Sequence, residues 1–107
     1  MNDVVAKGFS AAITGYFGYF RGLVTIDQLA RLEWASVTFC GSRHRLCVIL
    51  RGPGAVGAAA DFLADLPELE FEIRGHIVAD VALLGEERGD GGTYARLELE
   101  ALTVEEN

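Results

Sequence analysis

The chain opens on a helical period. Val5, Phe9, Ala12, Ile13, Tyr16 and Phe20 recur at intervals of three and four, which places them on one face of an α-helix. Asn2 or Asp3 can cap its start by accepting a backbone N–H, and the spacing predicts a helix over 3–17. Gly8, Gly15 and Gly18 each cost about 1 kcal/mol relative to Ala inside a helix, so a break is expected near Gly15. Thr25 and Gln28 have the form of a capping box and predict a short helix over 26–31.

From Leu32 the period changes to two. With Ser42-Arg43 as a two-residue turn, Phe39 faces Leu46, Val37 faces Val48 and Ala35 faces Leu50, so one register stacks three apolar pairs. The opposite face then carries Trp34, Cys40, Arg45, Cys47, Ile49 and Arg51. Gly52-Pro53-Gly54 ends the strand, and Pro53 suits the first turn of a second helix. Val56, Ala59, Ala60, Leu63 and Leu66 form its apolar stripe, and Pro67 stops it. Leu69, Phe71, Ile73, Gly75, Ile77, Ala79, Val81 and Leu83 then alternate without a miss, as in a long half-buried strand. Glu86 to Gly92 read as a charged turn. Ala95, Leu97, Leu99 and Ala101 make a returning strand to about Val104, with a slip of period near Ala101-Leu102.

Two α-β-β units thus follow one another. The economical assembly is an α+β two-layer sandwich in αββαββ order, a four-stranded antiparallel sheet with two helices on one face. A chain of 107 residues holds it as a single domain, 1–107. The second face of this sheet is not polar enough: Trp34, Cys47, Ile49, Val78, Ala82, Leu84 and Leu102 fall there. Contiguous exposed apolar area marks interfaces, and the closed symmetric solution is a homodimer with sheets packed face to face. Trp34, Ile49, Val78, Leu84 and Leu102 are the expected interface residues.

Composition agrees with a globular domain, half hydrophobic and under a quarter charged. The net charge of −7 is unevenly spread: residues 1–60 carry six bases against three acids, and residues 61–107 three arginines against thirteen acids. An acidic total argues against nucleic-acid binding, while the asymmetry can guide one subunit onto another. The longest uncharged stretch, Gly8 to Phe20, is 13 residues, short of the roughly 20 a membrane span needs. It also lacks the basic start and cleavage site of a signal peptide. With Cys40 and Cys47 read as free thiols, the cytoplasm is the expected compartment.

Candidate chemistry is sparse. Gly52-Pro53-Gly54-Ala55-Val56-Gly57 follows an apolar strand and opens a helix, as a dinucleotide fingerprint does. The strand that follows, however, alternates apolar with charged residues, and about twenty positions on stand Arg74 and His76 rather than an acid. Arg51, Gly52, Gly54 and Gly57, with the aromatics Tyr16 and Tyr19, are therefore candidates for a small ligand rather than for a known cofactor. Cys40, His44, Cys47 and His76 include zinc-type ligands, but the hairpin register does not converge them, and no metal or cofactor is expected. His76, Asp80 and Glu100 are the catalytic candidates: one register sets Asp80 opposite Arg96 and His76 opposite Glu100, and a His beside a carboxylate can act as a general base. Cross-strand charge pairing gives the same pattern without chemistry. Arg43-His44-Arg45 reads as a solvated hairpin tip. The residues favour a self-associating, non-enzymatic interaction or structural module. A small-ligand-binding regulatory domain is the alternative, and a small dimeric enzyme using His76 comes third.

Overall fold

The computed structural model describes residues 3–106. In chain order the elements are α1 (Val4–Tyr16), β1 (Leu23–Ala35), β2 (Cys40–Arg51), α2 (Ala55–Asp65), β3 (His76–Gly89) and β4 (Tyr94–Glu105), with single 3₁₀ turns at Phe17–Tyr19, Leu66–Glu68 and Asp90–Gly92. All strand pairs are antiparallel, in the order β1-β2-β4-β3. The expected α+β sheet with two helices is therefore present. Leu46 lies opposite Leu99 at the middle of the β2–β4 ladder, and each hairpin extends outward from that rung, so the two αββ units sit about an approximate two-fold axis.

The helices form and dock as their periodicity requires. Asp3 caps α1, its side chain accepting from the Val5 and Ala6 N–H groups; Asn2, the other cap candidate, lies outside the described residues. Val5, Phe9 and Ile13 of α1, Ala55, Ala58, Ala59 and Phe62 of α2, Leu46, Val48 and Leu50 of β2, and Ala95, Leu97, Leu99 and Ala101 of β4 belong to one buried cluster. Tyr16, Phe17 and Phe62 close it at one end with ring centroids about 5 Å apart.

Several strand expectations are overturned. Residues 26–31 are strand, not helix: Val24, Ile26 and Gln28 oppose Leu50, Val48 and Leu46, and that pairing outweighs a local capping signature. Leu29 is the extra residue of a bulge, which hides the alternation from a reading of the sequence. With β1 this long, the hairpin turns at Ser36–Phe39, where the Ser36 N–H donates to the Phe39 carbonyl at 2.7 Å and the Phe39 N–H to Ser36 Oγ at 3.1 Å. The pairs Phe39–Leu46, Val37–Val48 and Ala35–Leu50 do not form. Val37 and Phe39 stand exposed at the tip, and Arg43-His44-Arg45 lies inside β2 rather than at a turn.

The run from Leu69 is not one strand either. Leu69 to Ile73 precedes β3 and packs toward α1, with Phe71 on Phe9 at 5.3 Å between centroids. Ile73 lies so close to Gly8 that a Cβ there would meet it at 3.0 Å. The period of two in this stretch records helix packing, not sheet. β3 continues through Glu86 and Glu87 to Gly89, and the turn narrows to Asp90–Gly92, all three at positive φ. The slip of period expected in β4 belongs to β3, whose bulges fall at Ala79 and Leu84. Ala95, Leu97, Leu99, Ala101 and Thr103 in β4 alternate inward unbroken.

Candidate interaction surface

The helices cover one side of the sheet and no described element covers the other. On the open side, rungs read across β1, β2, β4 and β3 as Trp34, Gly41, Val104 and Ile77; then Leu32, Arg43, Leu102 and Asp80; then Ala30, Arg45, Glu100 and Ala82; and, past Cys47 and Glu98, as Thr25, Ile49, Arg96 and Glu87. The first rung, with Leu32 and Leu102 of the second, makes an apolar end next to the hairpin tip. Gly41 is required there: a Cβ would lie 1.9 Å from the Thr103 carbonyl oxygen and 2.8 Å from the Trp34 ring. The Trp34 indole N–H is shielded without an acceptor among the described residues.

Charge is spread unequally over this face. The β1–β2 half carries Arg43, Arg45 and Arg51 against Asp27, whereas the β4–β3 half carries Glu98, Glu100, Asp80 and Glu87 against Arg96. Glu100 holds Arg43 at 3.1 Å and Arg45 at 3.9 Å, and Arg51 stacks on Tyr94 at 4.8 Å. Cys47 is buried among these groups, and burial pushes its thiol up, with Arg96 drawing it back in part.

Of the predicted interface residues, Trp34, Ile49 and Leu102 lie on this open face. Val78 does not: it shares a rung with the buried Thr103 and packs against the helix-side core. The Ala79 bulge sets that phase. Leu84 is itself a bulge residue on the β3 edge, 45% exposed.

The catalytic candidates are not assembled in the predicted register. His76 is opposite Glu105, Asp80 opposite Leu102, and Glu100 opposite Ala82, because the hairpin turns only at Asp90–Gly92. His76 Nδ1 meets the Arg74 carbonyl oxygen at 3.1 Å. His76 and Asp80 both line an open cleft of about 830 Å³ between β3 and the segment before it, with Glu70, Glu72 and Arg74; Glu100 is not part of it.

The ligand candidates divide. Tyr19, Gly54 and Gly57 line a cleft of about 570 Å³ with Phe20, Arg21, Pro53 and Asp61. Arg51 is engaged with Tyr94 on the open face, and Tyr16 donates to Asp65 Oδ2 at 2.7 Å. Burial first, then that carboxylate, raises the Tyr16 phenol. Among the described residues no three His, Cys, Asp or Glu gather to hold a metal ion, and no helix is long and apolar enough to cross a membrane.

One cluster escaped the sequence reading. His44 is fully buried on the helix side, its Nδ1 2.9 Å from Gln28 Oε1 and 3.9 Å from Asp3 Oδ2, its Nε2 3.4 Å from Thr103 Oγ1. Arg31 Nη1 closes the group at 3.2 Å from Asp3. Burial would raise the Asp3 carboxyl, but the Val5 and Ala6 N–H groups and the charges of Arg31 and His44 hold it below the usual range. Burial also pushes the imidazole down, against the pull of Asp3. This group ties the start of α1 to β1, β2 and β4. The signal for it, a His at the inward phase of β2, is readable only once the hairpin register is known. No family model and no curated protein matches the chain.

Proposed function

We propose that this protein is a cytoplasmic, non-enzymatic interaction module that functions as a homodimer through the open face of its sheet. The observation that carries the reading is the apolar end formed by Trp34 and Leu32 of β1, Leu102 and Val104 of β4 and Ile77 of β3, on a side left uncovered by both helices. Burying such surface is the main favourable term in association. Sedimentation velocity at micromolar concentration is expected to give twice the chain mass, and Trp34→Asp to return the monomer. A monomeric wild-type chain overturns the reading.

A small-ligand-binding role is the second reading, favoured by the cleft that Tyr19, Phe20, Arg21 and Gly57 line. A metabolite that raised the melting temperature of the wild type but not of a variant with that cleft filled would select it.

A further inference from the structure

We infer that the two copies stack with β2 of one over β4 of the other, in register, so that Arg45 of each faces Glu100 of its mate. This rests on the face-to-face reading above and specifies its geometry.

Two-fold packing of identical faces requires the axis to lie in the interface plane. If the axis runs across the strands, each strand stacks on its own copy in reverse. The arginines of β2 then meet β2, Glu98 and Glu100 meet each other, and the apolar end lies against the opposite end of the face, at Leu23, Arg51 and Tyr94. If the axis runs along the strands, between β2 and β4, every rung is kept and the halves exchange. The basic β1–β2 half then covers the acidic β4–β3 half: Arg45 lies over Glu100, Ala30 over Ala82, and Thr25 over Glu87. Trp34 lies over Ile77, and Val104 over the bare backbone of Gly41. The Arg45–Glu100 pair and the Trp34–Ile77 rung both favour this axis, under which Leu32 lies over Asp80 and Arg43 over Leu102. The uneven charge of the chain halves thereby becomes a two-sided label on one face.

The face is large enough. Four strands about 4.8 Å apart, twelve or more residues long at about 3.3 Å each, span roughly 750 Å², near the 800 Å² or so that each partner gives a stable interface. The charges act on register more than on affinity, which the apolar end supplies.

The test is a charge swap by mixing. Arg45→Glu alone and Glu100→Arg alone each set like charges face to face twice and are expected to dimerise at least about tenfold more weakly than wild type. An equimolar mixture restores both opposed pairs, so a heterodimer near wild-type affinity is expected by sedimentation velocity. That recovery also shows both variants are folded. Singles that dimerise normally, or a mixture no tighter than the singles, overturn the register. Should either single fail to fold by circular dichroism, cross-linking decides. In a Cys40→Ser background, a short bismaleimide is expected to join Ala30→Cys chains to Ala82→Cys chains in preference to either chain with itself, and self-linking of Ala30→Cys overturns the proposal. Trp34→Asp separates the two ideas: if it abolishes the dimer while the swaps have no effect, the face is the interface and only this register falls.

Discussion

Acid is expected to withdraw stability from this fold in a window set by His44, well before the carboxylates protonate. The imidazole is fully buried, with Nδ1 2.9 Å from Gln28 Oε1 and Nε2 3.4 Å from Thr103 Oγ1. The Thr103 hydroxyl donates to the Ser42 carbonyl at 3.3 Å. Burial depresses the folded-state pKa below the 6.5 of the free side chain, so the unfolded chain binds a proton that the folded chain refuses. Stability is full above pH 6.5 and falls as pH drops below it, with a limiting slope of about 1.4 kcal/mol per pH unit. Between pH 7 and pH 5 the loss has a ceiling of about 2 kcal/mol, a large share of the 5–15 kcal/mol typical of a domain. Asp3 acts in a different window: its folded pKa is lowered below 3.8, so its contribution persists above that value and is lost only in stronger acid. Urea denaturation at half-unit steps from pH 7.5 to pH 4.5 reads the effect. His44→Gln is expected to lower stability at pH 7.5, since it disturbs a buried hydrogen-bonded group, but to flatten the slope between pH 6.5 and pH 5. A variant lacking His44 that retained the wild-type slope would refute the reasoning.

Other positions give sharp expectations. Phe62 is fully buried between Phe17 and Tyr16, so Phe62→Ala should cost about 3–5 kcal/mol in urea denaturation; a loss under 1 kcal/mol would mean that α2 is not docked as described. Two glycines should respond with opposite sign: Gly41→Ala forces a Cβ against the Thr103 carbonyl and should lower the melting temperature sharply, whereas Gly57→Ala meets nothing within 4 Å and should gain up to about 1 kcal/mol of helix propensity.

The fold class was legible in the sequence because period is robust to local error. The inward residues of β4 alternate over its whole length, and α1 and α2 show their stripes directly. Register was not legible, because register is a property of pairs. Leu29, Ala79 and Leu84 are bulge residues that look like ordinary apolar positions, and each moves every later contact by one. The Ala79 bulge sent Val78 to the helix side, whereas both hairpin turns lie residues away from where the alternation put them, at Ser36–Phe39 and Asp90–Gly92, and that displacement separated His76 from Glu100. It also concealed His44, whose burial depends on β2 pairing with β1 from Cys40 rather than from a turn at Ser42. Leu69 to Ile73 failed for another reason: a segment laid against a helix can alternate as strictly as one laid in a sheet. Trp34, Ile49 and Leu102 do lie on the open face, as the alternation within each strand implied.

The same bulges argue for the face rather than the edges as the associating surface. An open sheet has two edge strands whose unpaired N–H and C=O groups invite another chain, and bulges and charges are the usual protection. β1 is interrupted at Leu29 and carries Asp27, Arg31 and Glu33; β3 is interrupted at Ala79 and Leu84 and ends in Glu86, Glu87 and Arg88. A strand adding at either edge must match an irregular ladder and accommodate those charges. The open face carries charges too, but there β2 and β4 run without register shift along their shared ladder. The sheet is irregular where pairing would be indiscriminate and regular where stacking would be specific, which is the pattern expected of a surface shaped to take one partner in one register.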